Sequence, residues 1–140
     1  MNLKNLNILL ADDDTDDCSF FKEALEDLKL SAHLTIVRDG EQLMQLLKEE
    51  TKVLPDVIFL DINMPRKDGF ECLWDMKRNK RLKDLPVIMF STSNSPTQRD
   101  TVFKIGAHVY IHKPGDFSQL KEVIRHALPI VTEKRLSKNR

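Results

Sequence analysis

Apolar residues fall along this chain in two alternating patterns. Short runs of large aliphatic side chains occur at Leu6–Ala11, His33–Val37, Val57–Leu60, Val87–Phe90 and Val109–Ile111. Runs of this length and composition predict strands. The unbroken run Val57-Ile58-Phe59-Leu60 predicts a strand covered on both faces. Between the runs, apolar residues recur at helical spacing. One stripe is Phe20, Phe21, Ala24, Leu25 and Leu28, and a second is Leu43, Met44, Leu46 and Leu47. Phe70, Leu73, Trp74 and Lys77 mark a third with a polar gap. Val102, Phe103 and Ile105 mark a short fourth, and Leu120, Val123, Ile124, Ala127 and Leu128 a fifth. Five strands alternating with five helices predict an α/β fold, a doubly wound parallel sheet with helices on both faces.

The breaks agree with these boundaries. Pro55 and Pro86 precede the third and fourth strands, Asp39-Gly40 parts the second strand from its helix, and Gly106 ends the fourth helix. Pro129 is expected to stop the last helix, because proline lacks the N–H that a helix needs. That expectation divides the chain into one domain over 1–128 and a basic tail over 129–140, with no output domain.

The 22 basic and 22 acidic residues balance. This balance removes any general attraction to nucleic acid or anionic membrane. No apolar run approaches a membrane span, and the acidic start does not read as a signal peptide. Cys18 and Cys72 have no ligand-spaced or disulfide-forming neighbours, so both read as free thiols in a reducing, cytoplasmic setting.

The chemistry lies just past the strands. An open parallel sheet binds ligands beyond the carboxyl ends of its strands. Those ends carry Asp12-Asp13-Asp14, Asp61, Ser91-Thr92 and Lys113. Acids gathered at one rim repel each other unless a cation joins them. Mg²⁺ suits such a set, because it prefers oxygen ligands and keeps several waters. Asp13 and Asp61 are expected as direct ligands, Asp12 through water, and the backbone carbonyl of Asn63 as a further donor. Lys113 is expected to pair with Asp61 and to hold a phosphoryl group as a point charge. Ser91 offers a hydroxyl donor. Together these groups describe an aspartyl nucleophile, Asp61, that accepts a phosphoryl group. Asp16 and Asp17 read as first-turn helix acids favoured by the dipole.

The stretches "ILLADDD" (8–14), "DVIFLDINMPRKDGFE" (56–71), "LPVIMFSTS" (85–93) and "GAHVYIHKPGDF" (106–117) together resemble the response-regulator receiver domain of two-component signalling. The "INMPRKDG" stretch is similar to stand-alone receivers of the chemotaxis and phytochrome type. The resemblance covers about residues 5 to 128. It implies a five-stranded sheet of flavodoxin-like order 2-1-3-4-5 with five flanking helices. It implies Asp61 as phosphoacceptor, Asp12 and Asp13 as the acidic pair, and Lys113 as the family lysine. Ser91 takes the place of the switch hydroxyl and Tyr110 that of the switch aromatic. Asn63 and Ser93 stand where the family controls phosphoryl lifetime. Two positions depart from the pattern. Asp14 extends the acidic pair, leaving open whether it replaces Asp12 at the metal, and Thr92 stands where a small alanine is usual. The implied partners are a sensor histidine kinase or a histidine phosphotransfer protein. A homodimer through the face of the fourth helix, fifth strand and fifth helix is also expected. The alternative is a phosphate-independent, receiver-like interaction module. A haloacid-dehalogenase-like phosphatase needs a second acid two residues past its nucleophile, and Asn63 stands there instead.

Overall fold

The computed structural model describes residues 5–138 and side chains through residue 131. Its elements are β1 (Leu6–Ala11), α1 (Thr15–Asp27), β2 (Ala32–Val37), α2 (Gly40–Lys48), β3 (Val57–Leu60), α3 (Gly69–Lys77), β4 (Val87–Ser91), α4 (Pro96–Ile105), β5 (Val109–His112) and α5 (Phe117–Lys138). The five strands form one sheet in the order β2-β1-β3-β4-β5. Every neighbouring pair is parallel. The predicted fold class and strand order both hold.

Alternation along each strand divides the core in two, because successive side chains point to opposite faces. Leu9, Ala11, Ile58, Leu60, Val87 and Met89 face α2, α3 and α4. Ile8, Leu10, Val57, Phe59, Ile88 and Phe90 face α1 and α5. On that second face Phe21, Phe59 and Phe90 meet edge to face, their centroids 4.8 to 6.1 Å apart. This geometry suits the ring quadrupoles.

The helix ends follow local chemistry. Asp14, Asp39, Asp68 and Ser95 cap α1, α2, α3 and α4 through their side chains, and Asp68 with Glu71 forms a capping box. Gly106 closes α4 at φ 132°, a backbone that L side chains rarely adopt. Beyond α2, Arg81 reaches back to the carbonyls of Leu47, Glu49 and Lys52 at 2.7, 3.5 and 3.2 Å. It thereby satisfies acceptors that the end of the helix leaves open. Arg81→Ala is expected to lower unfolding free energy by about 1–2 kcal/mol, read as a lower urea midpoint at unchanged slope.

Some expectations are corrected. β2 starts one residue earlier, at Ala32, while β4 and β5 each run one residue further, to Ser91 and His112. Phe20, Trp74 and Phe103 lie outside the core, roughly half exposed. In α3 the fully buried positions are Cys72, Leu73 and Met76, so the stripe is turned from the one expected. Trp74 instead lies on the surface, with the Arg78 guanidinium 5.2 Å from its ring centroid. Pro129 does not stop α5, which runs through it to Lys138. The lost N–H bond would have gone to the carbonyl of Arg125, an exposed residue. Val131, one half-turn beyond, is fully buried against the α1 side of the core and anchors the continuing helix.

Candidate functional site

The carboxyl ends of the central strands and β5 deliver a set of polar groups to one rim. Backbone pairing sets their positions. Asp12 donates its N–H to Val37 at 3.0 Å, and Asp61 donates its own to Ala11 at 3.0 Å. Both acids therefore stay in register with the sheet although they lie just past its strands. Lys113 donates its backbone N–H to the Ser91 carbonyl at 2.8 Å, tying the end of β5 to that of β4.

The side chains then converge. Lys113 Nζ lies 2.7 Å from Asp12 Oδ2, 2.8 Å from Asp17 Oδ2 and 3.4 Å from Asp61 Oδ2. It also stands 5.7 Å from the centroid of the Phe90 ring. Carboxylate oxygens of Asp12, Asp13 and Asp61 all lie within 4.8 Å of one another. Asp12 Oδ1 accepts the Asp14 N–H at 3.0 Å. Its Oδ2 is buried without a well-directed hydrogen bond, despite the close ammonium. Asp61 Oδ1 accepts the Asn63 N–H at 3.4 Å. Ser91 is fully buried, and its Oγ accepts the Ser93 N–H at 3.2 Å.

Gly69 allows the backbone beneath Asp61 to close up. A Cβ there would stand 2.3 Å from the Asp61 carbonyl oxygen and 2.7 Å from Ile62 Cα. The Gly69 N–H is bonded to the Ile62 carbonyl at 2.8 Å. Gly69→Ala must push the loop off the strand end. The expected cost is about 2 kcal/mol or more in thermal unfolding, and a parent-like melting curve would contradict this close packing.

Charge is poorly tolerated at this rim. Burial pushes the Asp61 carboxyl up to about 6, Lys113 pulls it down, and the Asp12 charge adds to the rise. Burial also raises Asp12, against the opposing pull of Lys113. Burial alone would lower the Lys113 ammonium, but pairing with Asp12 and Asp17 outweighs it, so Lys113 stays protonated. Three acids thus share one ammonium, and the shared negative charge is incompletely matched.

The geometry separates the acids of the segment 12–17. Asp14 is not a third member of the acidic group, because its side chain caps α1 by accepting the Asp17 N–H at 3.0 Å. Asp17 lies in the first turn of α1, as read from the sequence, and is also a direct partner of Lys113. It reaches the rim from that turn, where a helix acid has a sufficient local explanation and nothing in the sequence pattern points to Lys113. Among the other expected residues, Asn63 is exposed on the loop after Asp61. Tyr110 is half-buried, its hydroxyl donating to the Ser93 carbonyl at 2.8 Å and its ring 5.1 Å from the Arg99 guanidinium. Ser93 in turn donates to Gln98 Oε1 and accepts the Ser95 N–H at 3.2 Å. His112 is exposed, with Nε2 3.1 Å from the Thr92 carbonyl. Burial pushes the thiols of Cys18 and Cys72 up to about 11 and 12, so neither is a nucleophile near neutral pH.

A doubly wound 2-1-3-4-5 sheet with acids, a hydroxyl and a lysine at its carboxyl rim defines a class. The chain belongs to the response regulator receiver domain family, which it matches over residues 8–125. Among its relatives is response regulator Rcp1 of Synechocystis, 30% identical over 122 residues, which cover 84% of this chain and 83% of that protein. The transcriptional regulatory protein CpxR of Escherichia coli is 34% identical over 121 residues, covering 86% of this chain and 48% of CpxR. Of the solved structures, the phosphorylated cyanobacterial phytochrome response regulator RcpA superposes with a TM-score of 0.81 at 32% identity, covering 87% of this chain and 90% of that one. The Mn²⁺-bound form of Rcp1 superposes at 0.79 with 30% identity, covering 86% and 90%. Among the described residues, no helix is long and apolar enough to cross a membrane.

Proposed function

We propose that this protein is a phosphorylatable receiver that takes a phosphoryl group onto Asp61. The observation that carries the reading is the placement of one buried ammonium, Lys113, against both Asp12 and Asp61 at a rim shared with Ser91. The acids suit a hard divalent ion. Their donors are all carboxylate oxygens within 4.8 Å, and Asp12 Oδ2 is buried without a directed hydrogen bond. Asp12, Asp13, Asp61 and the backbone carbonyl of Asn63 would hold Mg²⁺, which when bound supplies charge neutralisation to the acids and to phosphoryl oxygens. A Mn²⁺-bound form of the relative Rcp1 supports this reading.

In this account an Asp61 carboxylate oxygen attacks the phosphorus of the donor. A new P–O bond forms as the donor's P–N or P–O bond breaks, and the electron pair leaves with the donor. Lys113 holds the transferred group by charge, and Ser91 donates its hydroxyl to a phosphoryl oxygen. Ser91 then leaves its contact with the Ser93 N–H, and Tyr110 exchanges its bond to the Ser93 carbonyl for an inward position. The face made by α4, β5 and α5 changes with it, a two-state element biased by one new hydrogen bond. The donor is a cytoplasmic sensor histidine kinase or histidine phosphotransfer protein. The altered face serves a partner protein or a second copy of this chain. The protein's own chemistry is phosphoryl acceptance followed by slow hydrolysis, not turnover of a free substrate.

Asn63 and Ser93 stand near the route by which water would reach the acyl phosphate. Asn63→Ala and Ser93→Ala are each expected to change the lifetime of the phosphorylated protein at least ~3-fold, with a smaller effect on its formation. Equal lifetimes in both variants and the parent would count against that role.

Incubation with Mg²⁺ and acetyl phosphate tests the function. The expected result is one phosphoryl group per chain by intact mass, lost in chelator and in Asp61→Asn. Rapid turnover of varied phosphate esters would point to a hydrolase. No labelling and no beryllofluoride binding would favour the phosphate-independent module.

A further inference from the structure

Lys113 has three protons to donate and three carboxylates around it. The two shortest contacts go to Asp12 and Asp17, at 2.7 and 2.8 Å. Asp61 stands further off, at 3.4 Å. A charge-assisted N–H···O bond prefers roughly 2.7–2.9 Å, so the ammonium is drawn back from the acid it should serve. Asp12 is fully buried at the end of β1. Asp17 differs from it: it lies in the first turn of α1, and about one third of its side chain is exposed.

We infer that Asp17 is a positioning residue that competes with the phosphoryl group for Lys113. In the resting protein it anchors the ammonium on the α1 side of the rim. On phosphorylation, Lys113 must turn one donor to a phosphoryl oxygen, and Asp17 opposes that turn. The exchange is feasible because Asp17 is partly wetted, so water replaces the lost partner at small cost. Releasing Asp12 would instead strand a buried carboxylate. Asp17 therefore sets how readily the site accepts a phosphoryl group while taking no part in the bond-making step. This inference rests on the reading of Asp61 as the acceptor.

The test is beryllofluoride binding in the presence of Mg²⁺, followed by titration of the intact protein. Asp17→Asn keeps the shape, removes the charge and frees Lys113, so the affinity is expected to rise roughly 3- to 5-fold. Asp17→Glu keeps a carboxylate in reach of the ammonium and is expected to return most of the way to the parent value. Asp16→Asn removes an equal charge one residue away, at an exposed position, and is expected to leave the affinity unchanged. The parent's affinity should also rise with added salt relative to Asp17→Asn, because screening weakens the competing pair. A purely structural role for Asp17 would move neither the Asp17→Glu rescue nor this salt dependence. Unchanged or weaker binding in Asp17→Asn overturns the inference, as does an equal gain in Asp16→Asn. If the parent binds beryllofluoride only when Asp61 is present, the acceptor reading stands whatever Asp17 does. If the parent binds none, both fall together.

Discussion

Asp61→Asn is expected to be more stable than the parent in metal-free buffer near pH 7.5, by on the order of 2 kcal/mol. The cause is the raised carboxyl. Its ordinary value is near 3.8, and at the rim burial pushes it to about 6. Between these values the folded protein binds more protons than the unfolded chain, so stability falls as pH rises through that window. Below about pH 4 the acid is neutral in both states, and Asn has little advantage. Above pH 6 the folded protein carries the full cost of the ionised group, and Asn removes it. The difference in urea midpoint between variant and parent should therefore grow from near zero at pH 4 to its full size by pH 7. Millimolar Mg²⁺ should stabilise the parent and narrow the gap, because an ion that binds only the folded state shifts its stability by mass action. A variant less stable than the parent at every pH would mean that Lys113 already satisfies Asp61 in full.

Lys113→Met has the opposite expected sign and a larger size. Three carboxylates would lose their shared ammonium, one of them on fully buried Asp12. Removing one partner of a buried pair costs about 3–5 kcal/mol, because the remaining charge is stranded. The expected loss is about 3 kcal/mol at pH 7.5 in chelator, since Asp17 is partly exposed and Asp61 is only partly matched at the start. The loss should shrink toward pH 5 as the acids take up protons, and shrink again with Mg²⁺. Methionine fills much of the lysine stem's volume, so a cavity is a minor part of the effect. A loss below about 1 kcal/mol with no dependence on pH would place Lys113 among ordinary surface lysines.

The two expectations share one physical origin. β1, β3 and β5 bring charges to a dry rim at fixed spacing, and the sheet register holds them there whatever their mutual repulsion. Like-charge crowding near a binding centre lowers stability in the resting state and is relieved when a cation arrives.

Much of this arrangement is legible in the chain itself. The strand runs are apolar on both faces because two helical layers cover the sheet, so strand positions follow from runs and punctuation, while the strand order comes from the family resemblance. Asp12, Asp61, Ser91 and Lys113 are found from the rule that such sheets act at their carboxyl ends. Asp17 escapes that rule, because it reaches the rim from a helix and not from a strand tip. A first-turn acid has an adequate local explanation in the helix dipole, which hides its long-range pairing with Lys113. The role of Asp14 is equally local but invisible in a run of three identical residues, where only backbone geometry separates the cap from the rim acids. Trp74 and Cys72 show the limit of periodicity in a short helix. A shift of one residue keeps an apolar stripe plausible while exchanging which side chain is buried. Pro129 shows that a strong local signal yields to packing when Val131, beyond it, has a core position to fill.

The most direct test of the central claim is reductive trapping. The protein is treated with Mg²⁺ and acetyl phosphate, reduced with borohydride, digested, and mapped by tandem mass spectrometry. Borohydride converts an acyl phosphate into an alcohol at the residue that carried it. The account predicts homoserine at position 61 alone, absent in chelator. Homoserine at position 12 or 13, or a phosphoryl group found on His112, would contradict it.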